Sequence, residues 1–231
     1  MCDWLTQSNL NVLVGYGGSG KTECAVNLVL ALQERGCAAA LADLDVVNPY
    51  FRSRERRALF ENRGIRFVAT SQACVDADIP AIPAQLNALL EDQSLHSVLD
   101  IGGGPGGARV LAQNRHRILN RPHRVCFVLN AARPATGDLS GALASLKEIE
   151  RANGLHVTHI IHNTHLCEQT RMEDVLEGME LARELSRRTQ LPILCHAVHH
   201  ALCADLPDCG ENILPLHLYM NKPWEISEET F

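Results

Sequence analysis

The chain has 231 residues, 46% of them hydrophobic and 21% charged, with a net charge of −6. That length fits a single large domain able to bury roughly 70% of its unfolded surface without disulfide or metal support. The acidic balance argues against a nucleic-acid partner, and no apolar run reaches the ~18–20 residues of a membrane span.

Short apolar runs alternate with longer amphipathic stretches, the pattern of βαβ units around a mostly parallel sheet. Strands are expected at Leu10–Val14, Ala38–Asp43, Arg66–Ala69, Ser97–Ile101, Val125–Asn130, Val157–His162 and Leu191–His196, with a short one near Ile213–Leu216. Several are apolar without alternation, as strands covered on both faces should be. Helices are expected between them. Lys21–Arg35 places Cys24, Ala25, Leu28 and Leu32 at helical spacing and stops before Gly36. Ser53–Asn62 is heavily charged, and Pro83–Leu90 opens on a proline suited to a first turn. Ala108–Leu119, Leu139–Asn153 and Met172–Thr189 complete the set. No repeat or low-complexity linker interrupts the pattern, so residues 1–231 read as one doubly wound α/β domain with helices on both faces.

The chemistry concentrates after the first strand. Gly15-Tyr-Gly-Gly-Ser-Gly-Lys21-Thr22 satisfies G-x-x-x-x-G-K-[ST] between a strand and a helix, the context a phosphate-binding loop requires. Gly15, Gly17, Gly18 and Gly20 allow consecutive amides, with that of Ser19, to turn inward on an anion. The helix adds its positive end to that site. Lys21 is expected on the β/γ-phosphates and the Thr22 hydroxyl on Mg²⁺.

Such a loop needs carboxylates at neighbouring strand ends. Asp43 and Asp45 close one strand, and Asp100 closes another before a run of five glycines within 102–107. Asp43 and Asp45 are read as facing opposite sides. Asp45 is expected to orient the attacking water, and Asp43 to assist Asp100 at the metal. The Gly103 amide is expected to sense the γ-phosphate, within a flexible run that orders around a triphosphate.

The loop, the Asp43-Leu44-Asp45 strand end and Asp100 with its glycines resemble the MinD/ParA branch of the P-loop NTPases (SIMIBI class). Asp45-Val-Val-Asn48-Pro-Tyr-Phe-Arg52-Ser-Arg54, Val128-Leu-Asn130 and His162-Asn163-Thr164 look like one bacterial nucleotide-binding subfamily of it. The resemblance implies a slow Mg²⁺-dependent ATPase that couples nucleotide state to a protein partner or to a homodimer. It also implies Asn163 on the base and ATP as the nucleotide, since the asparagine is not followed by the aspartate of N-K-x-D. The chain departs from the family at Tyr16, where a signature lysine reaches across a dimer to the partner's phosphates. Arg52, Arg54, Arg56 and Arg57 offer a substitute charge or a solvated helix face.

Two alternatives remain open at this stage: a small-molecule kinase or synthetase using the same loop, and a nucleotide sensor that hardly hydrolyses. Met1-Cys-Asp-Trp4 lacks the features of a signal peptide, and the nine cysteines contain no C-x-x-C pair, so a cytoplasmic, reduced chain is expected. The acidic stretch Glu225–Phe231 is unlike a membrane-surface helix. His196/His200 and His199/Cys203, spaced i,i+4 between Cys195 and Cys209, would share a face if helical and offer metal ligands.

Overall fold

A computed structural model describes residues 3–45, 53–69, 84–103 and 105–220. Among these residues, eight parallel strands form one sheet: β1 (Leu10–Val14), β2 (Ala39–Asp43), β3 (Arg66–Ala69), β4 (His96–Asp100), β5 (Arg124–Leu129), β6 (His159–His162), β7 (Ile193–His199) and β8 (Ile213–Leu216). Their order is β3-β2-β4-β1-β5-β6-β7-β8, with β1 between β4 and β5. The α-helices are α1 (Lys21–Glu34), α2 (Arg57–Asn62), α3 (Ala84–Glu91), α4 (Pro105–Leu119), α5 (Leu139–Asn153) and α6 (Met172–Thr189).

Alternation along the strands assigns the two faces. Leu10, Val12 and Val14 of β1 pack with Leu111 and Ile118 of α4, Leu146 of α5 and Leu185 of α6. Leu13, one position out of phase, joins Leu28 and Leu32 of α1, Phe60 of α2 and Leu216 of β8 on the other face. Helix α1 is buried on nearly all sides, since it lies under the sheet and against the last strand. Cys24, Cys126 and Cys195 fill this second core as small apolar residues, and burial pushes the Cys126 thiol up to about 12.

Local chemistry explains most of the helix ends. Asp138 caps α5 by accepting from the Gly141 amide, and Gly154 stops the helix in the left-handed region. The charged stretch 53–62 divides into a 3₁₀ turn, Ser53–Arg56, and the short helix α2. The remaining boundaries lie close to expectation, with β7 running further, to His199.

Two expectations are corrected here. Residues 105–107 are not part of a loose glycine run but the first turn of α4, because proline at a first helical position is pre-set for the helix and loses no needed donor. The Cys195–Cys203 segment is not a helix. It is strand β7 followed by a 3₁₀ turn at His200–Leu202, so the i,i+4 pairs share no helical face. Cys195 instead enters the α1-side core, while His196 packs edge-on against His162, 5.2 Å between ring centroids. Among the described residues, no group of three or more His, Cys, Asp or Glu gathers as a metal cage. No helix among them is long and apolar enough to cross a membrane.

Candidate phosphate site at the carboxyl ends of the central strands

The loop from Gly15 to Gly20 joins β1 to α1 at the carboxyl edge of the sheet, where open α/β sheets place their ligands. Gly20 (φ +82°) begins the helix, and a Cβ there would collide with the Asn163 amide. A Cβ on Gly15 would lie 2.8 Å from both Ser19 Oγ and the Val128 carbonyl. The loop is therefore pressed onto the ends of β5 and β6 and admits only glycine at those points.

Lys21 is buried and folds back over the loop, Nζ donating to the Gly15 and Tyr16 carbonyls at 3.2 and 3.0 Å. Burial lowers its pKa, opposed by the charges of Asp100 and Asp45. Asp43 and Asp100 are buried partners across β2 and β4, in direct register. Burial, reinforced by Asp43, raises the Asp100 pKa to about 7, although Thr22 hydrogen-bonds the carboxylate. Asp100 Oδ1 has no hydrogen-bond partner among the described residues.

The division of Asp43 and Asp45 between two sides does not come from strand alternation, and the expectation is corrected. Residues two apart along a strand share a face. Strand β2 ends at Asp43, so Asp45 is aimed by the turn beyond it, its amide donating to Asp43 Oδ1 at 3.2 Å. The Asp45 side chain lies against Gly102, where a Cβ would collide with it. Gly103 lies beside the loop, and a Cβ on it would come within 3.4 Å of the Gly17 amide nitrogen. The structure thus brings Lys21, Thr22, Asp43, Asp45, Asp100 and Gly103 together.

Asn163 is fully buried at the end of β6, its Nδ2 donating to the Ser19 carbonyl at 2.8 Å while Oδ1 has no partner among the described residues. His165 follows it over Gly20, with Nε2 also lacking a partner. Burial first, then Arg133 and His199, lowers the His165 pKa to about 4, so the ring is neutral at pH 7.

Of the arginines after the Asp45 turn, Arg52 and the side chain of Arg54 lie outside the described residues. Arg56 Nε donates to the Tyr219 carbonyl. Arg57 stacks 5.0 Å over Phe67 and pairs with Glu61. Another cation, which sequence reasoning did not single out, sits on the loop itself. Arg133 donates from Nε to the Gly18 carbonyl at 2.8 Å across 115 residues of chain. Asn130, quoted in sequence only for its resemblance, supports the same rim by donating to the Gly18 and His165 carbonyls at 3.5 and 3.3 Å. Strand-end asparagine was the one local signal; long-range contact supplied the rest.

No protein-family model and no curated protein matches this chain. Solved structures do. The cell division protein FtsY of Thermotoga maritima is 22% identical with a TM-score of 0.54, over 80% of this chain and 59% of its own. The signal recognition particle receptor FtsY of Elizabethkingia anophelis is 22% identical with a TM-score of 0.51, over 81% and 58%. The 54 kDa signal recognition particle protein of Aeropyrum pernix, in complex with GDP, is 23% identical with a TM-score of 0.51, over 80% and 40%. The chain spans 59% or less of each of these proteins. The likeness is one of fold: a parallel α/β sheet with helices on both faces, the P-loop NTPase architecture.

Proposed function

We propose that this chain is an Mg²⁺-dependent ATP-binding protein and slow ATPase of the MinD/ParA type. Its nucleotide state would be read by a protein partner or by a second copy. The observation that carries the reading is the pairing of a loop closed on Lys21, its positions 15 and 20 restricted to glycine, with the buried Asp100 oxygen beside Thr22 that lacks a partner among the described residues. A buried polar atom without a partner is costly unless something completes it. The donor set, a hydroxyl with carboxylates, suits Mg²⁺, which usually takes few protein ligands and completes its shell with water and phosphate oxygens.

Thr22 and Asp100, assisted by Asp43, would hold the metal, which when bound neutralises charge on the phosphate oxygens. The amides of Gly15, Gly17, Gly18, Ser19 and Gly20, with Lys21, would cradle the phosphates. Lys21 exchanges its two loop carbonyls for phosphate oxygens, so the charge is already in place and little is reorganised. Asp45 would orient the attacking water, and the Gly103 amide would meet the terminal phosphate. Catalysis is then positioning and charge neutralisation.

Phosphate release by the wild type and by Lys21→Ala tests this, with a fall of at least ~100-fold expected for the variant on the scale of a lost transition-state charge contact. Equal rates would sink the proposal. GTP is a second reading, favoured by the fold likeness to a GDP-bound protein. The lack of a base-reading aspartate after Asn163 supports ATP. Competition between ATP and GTP for the site decides between them: preferential displacement by GTP would reverse the assignment.

A further inference from the structure

Arg133 stands at a turn beside the loop and braces it through the Gly18 carbonyl. Its amide donates to the Asn130 carbonyl at 3.2 Å, and the Thr136 amide donates to its own carbonyl at 2.9 Å. Pro134 opens the 3₁₀ turn that follows, and Thr136 Oγ1 donates to the Asn130 carbonyl at 2.7 Å. The backbone is therefore held in place, and the side chain is directed onto the loop.

Its guanidinium carbon and Nε lie 3.0 Å from where a Cβ on Gly18 would stand, at φ +74°. Any other residue at that position would be strained at this φ and would press the guanidinium back by a few tenths of an ångström. Among the described residues the side chain makes one hydrogen bond, from Nε to the Gly18 carbonyl. No carboxylate among the described residues pairs with it. The two Nη groups remain to serve something else, and a planar fork matches phosphate oxygens better than a point charge does.

Charge distribution says what that is. Strand β1 separates two sides of the site. On the β4 side stand Asp43 and Asp100, and on the β5 side stands Arg133, beside Asn163 and His165. The loop itself carries one cationic side chain, Lys21, because Tyr16 is neutral.

We propose that Arg133 is a nucleotide-binding residue. It supplies a second positive charge, from the same chain, to the part of the phosphate chain that di- and triphosphates share. This rests on the reading of the loop as a nucleotide site and adds a residue to it. Standing away from the carboxylates that manage the metal, Arg133 acts on the inner phosphates and not on the terminal one. Its effect is accordingly independent of both the base and the γ-phosphate.

The test compares binding of ADP, GDP and their non-hydrolysable triphosphate analogues, with Mg²⁺, to the wild type, Arg133→Lys and Arg133→Gln. Glutamine retains a donor for the Gly18 carbonyl without charge, whereas lysine retains charge without the fork. Arg133→Gln should weaken every nucleotide that binds by on the order of tenfold, the scale of one charge-assisted hydrogen bond. Arg133→Lys should recover most of that loss, and the ligand-free melting temperature should not change in either. Three results would overturn the proposal: wild-type affinity in Arg133→Gln, a loss confined to triphosphates, or equal loss in both variants with lowered ligand-free stability. Failure of the wild type to bind any nucleotide removes the nucleotide site and this role together; undiminished binding by Arg133→Gln removes this role alone.

Discussion

At the scale of single residues, the site stores unfavourable electrostatics. Asp100 has a folded pKa raised from 3.8 to about 7, so the ligand-free fold holds a proton more tightly than the unfolded chain. The contribution therefore carries no penalty below about pH 4, grows as pH rises through the window to about 7, and is complete above it. Asp100→Asn, neutral at every pH, should abolish that slope and stabilise the ligand-free protein at pH 7.5 by on the order of 4 kcal/mol. Denaturant titrations from pH 4 to 8 would read it, and an unchanged slope would refute the assignment. Under the proposed function, the same change should remove Mg²⁺-dependent hydrolysis. Gly178 makes the opposite point. Alanine would raise helix propensity by about 1 kcal/mol. But its Cβ would enter the space of Thr164 Oγ1, which accepts from the Ala131 amide at 3.1 Å and cannot yield. Overpacking costs ~1–3 kcal/mol and should win, giving net destabilisation in thermal melts.

At the scale of elements, the helix after the loop holds down the end of the described chain. Glu23 accepts from the Tyr219 amide at 3.0 Å and the Met220 amide at 2.8 Å, and Asn27 exchanges two 2.9 Å bonds with His217. Burial raises the Glu23 pKa, opposed by those two amides and by Arg56. Because Arg56 also donates to the Tyr219 carbonyl, the 3₁₀ turn before α2, the loop helix and residues 217–220 share one polar junction. Glu23→Ala strands one buried donor, the Met220 amide, and one half-buried donor, the Tyr219 amide, and should cost ~1–3 kcal/mol. Amide exchange at Tyr219 and Met220 should accelerate while β1 and β5 stay protected; a uniform change would show that the junction is not local. Boundaries of this kind explain which elements were legible in sequence. β1, β3, β8, α5 and α6 coincide with expectation because apolar runs and caps delimit them locally. β7 and the start of α4 did not, since a histidine-rich strand and a glycine-rich helix turn are stabilised by neighbours their own composition does not reveal.

At the scale of the whole molecule, Tyr16 bears on the nucleotide cycle of the proposed function. Its side chain is 48% exposed and neutral where the MinD/ParA pattern has a cross-dimer lysine. If Lys21 and Arg133 of one chain supply the charge, turnover per chain should not depend on protein concentration. Rates measured over a wide dilution series with saturating nucleotide would check this, and a rise in specific activity with concentration would point to a partner-supplied group.

Sequence alone determined the glycine-rich loop that ends in Lys21 and Thr22, the carboxylates Asp43, Asp45 and Asp100 at and just beyond the strand ends, and the parallel α/β class. Each is a local pattern of residue types at fixed spacing, and local chemistry needs no knowledge of distant chain. Tertiary structure decided the rest: that Asp43 and Asp100 share a buried register, that Asn163 holds the Ser19 carbonyl, and that Arg133 lies on Gly18. Those depend on which strands become neighbours in the sheet, and strand order is set by burial of whole faces, not by any one segment.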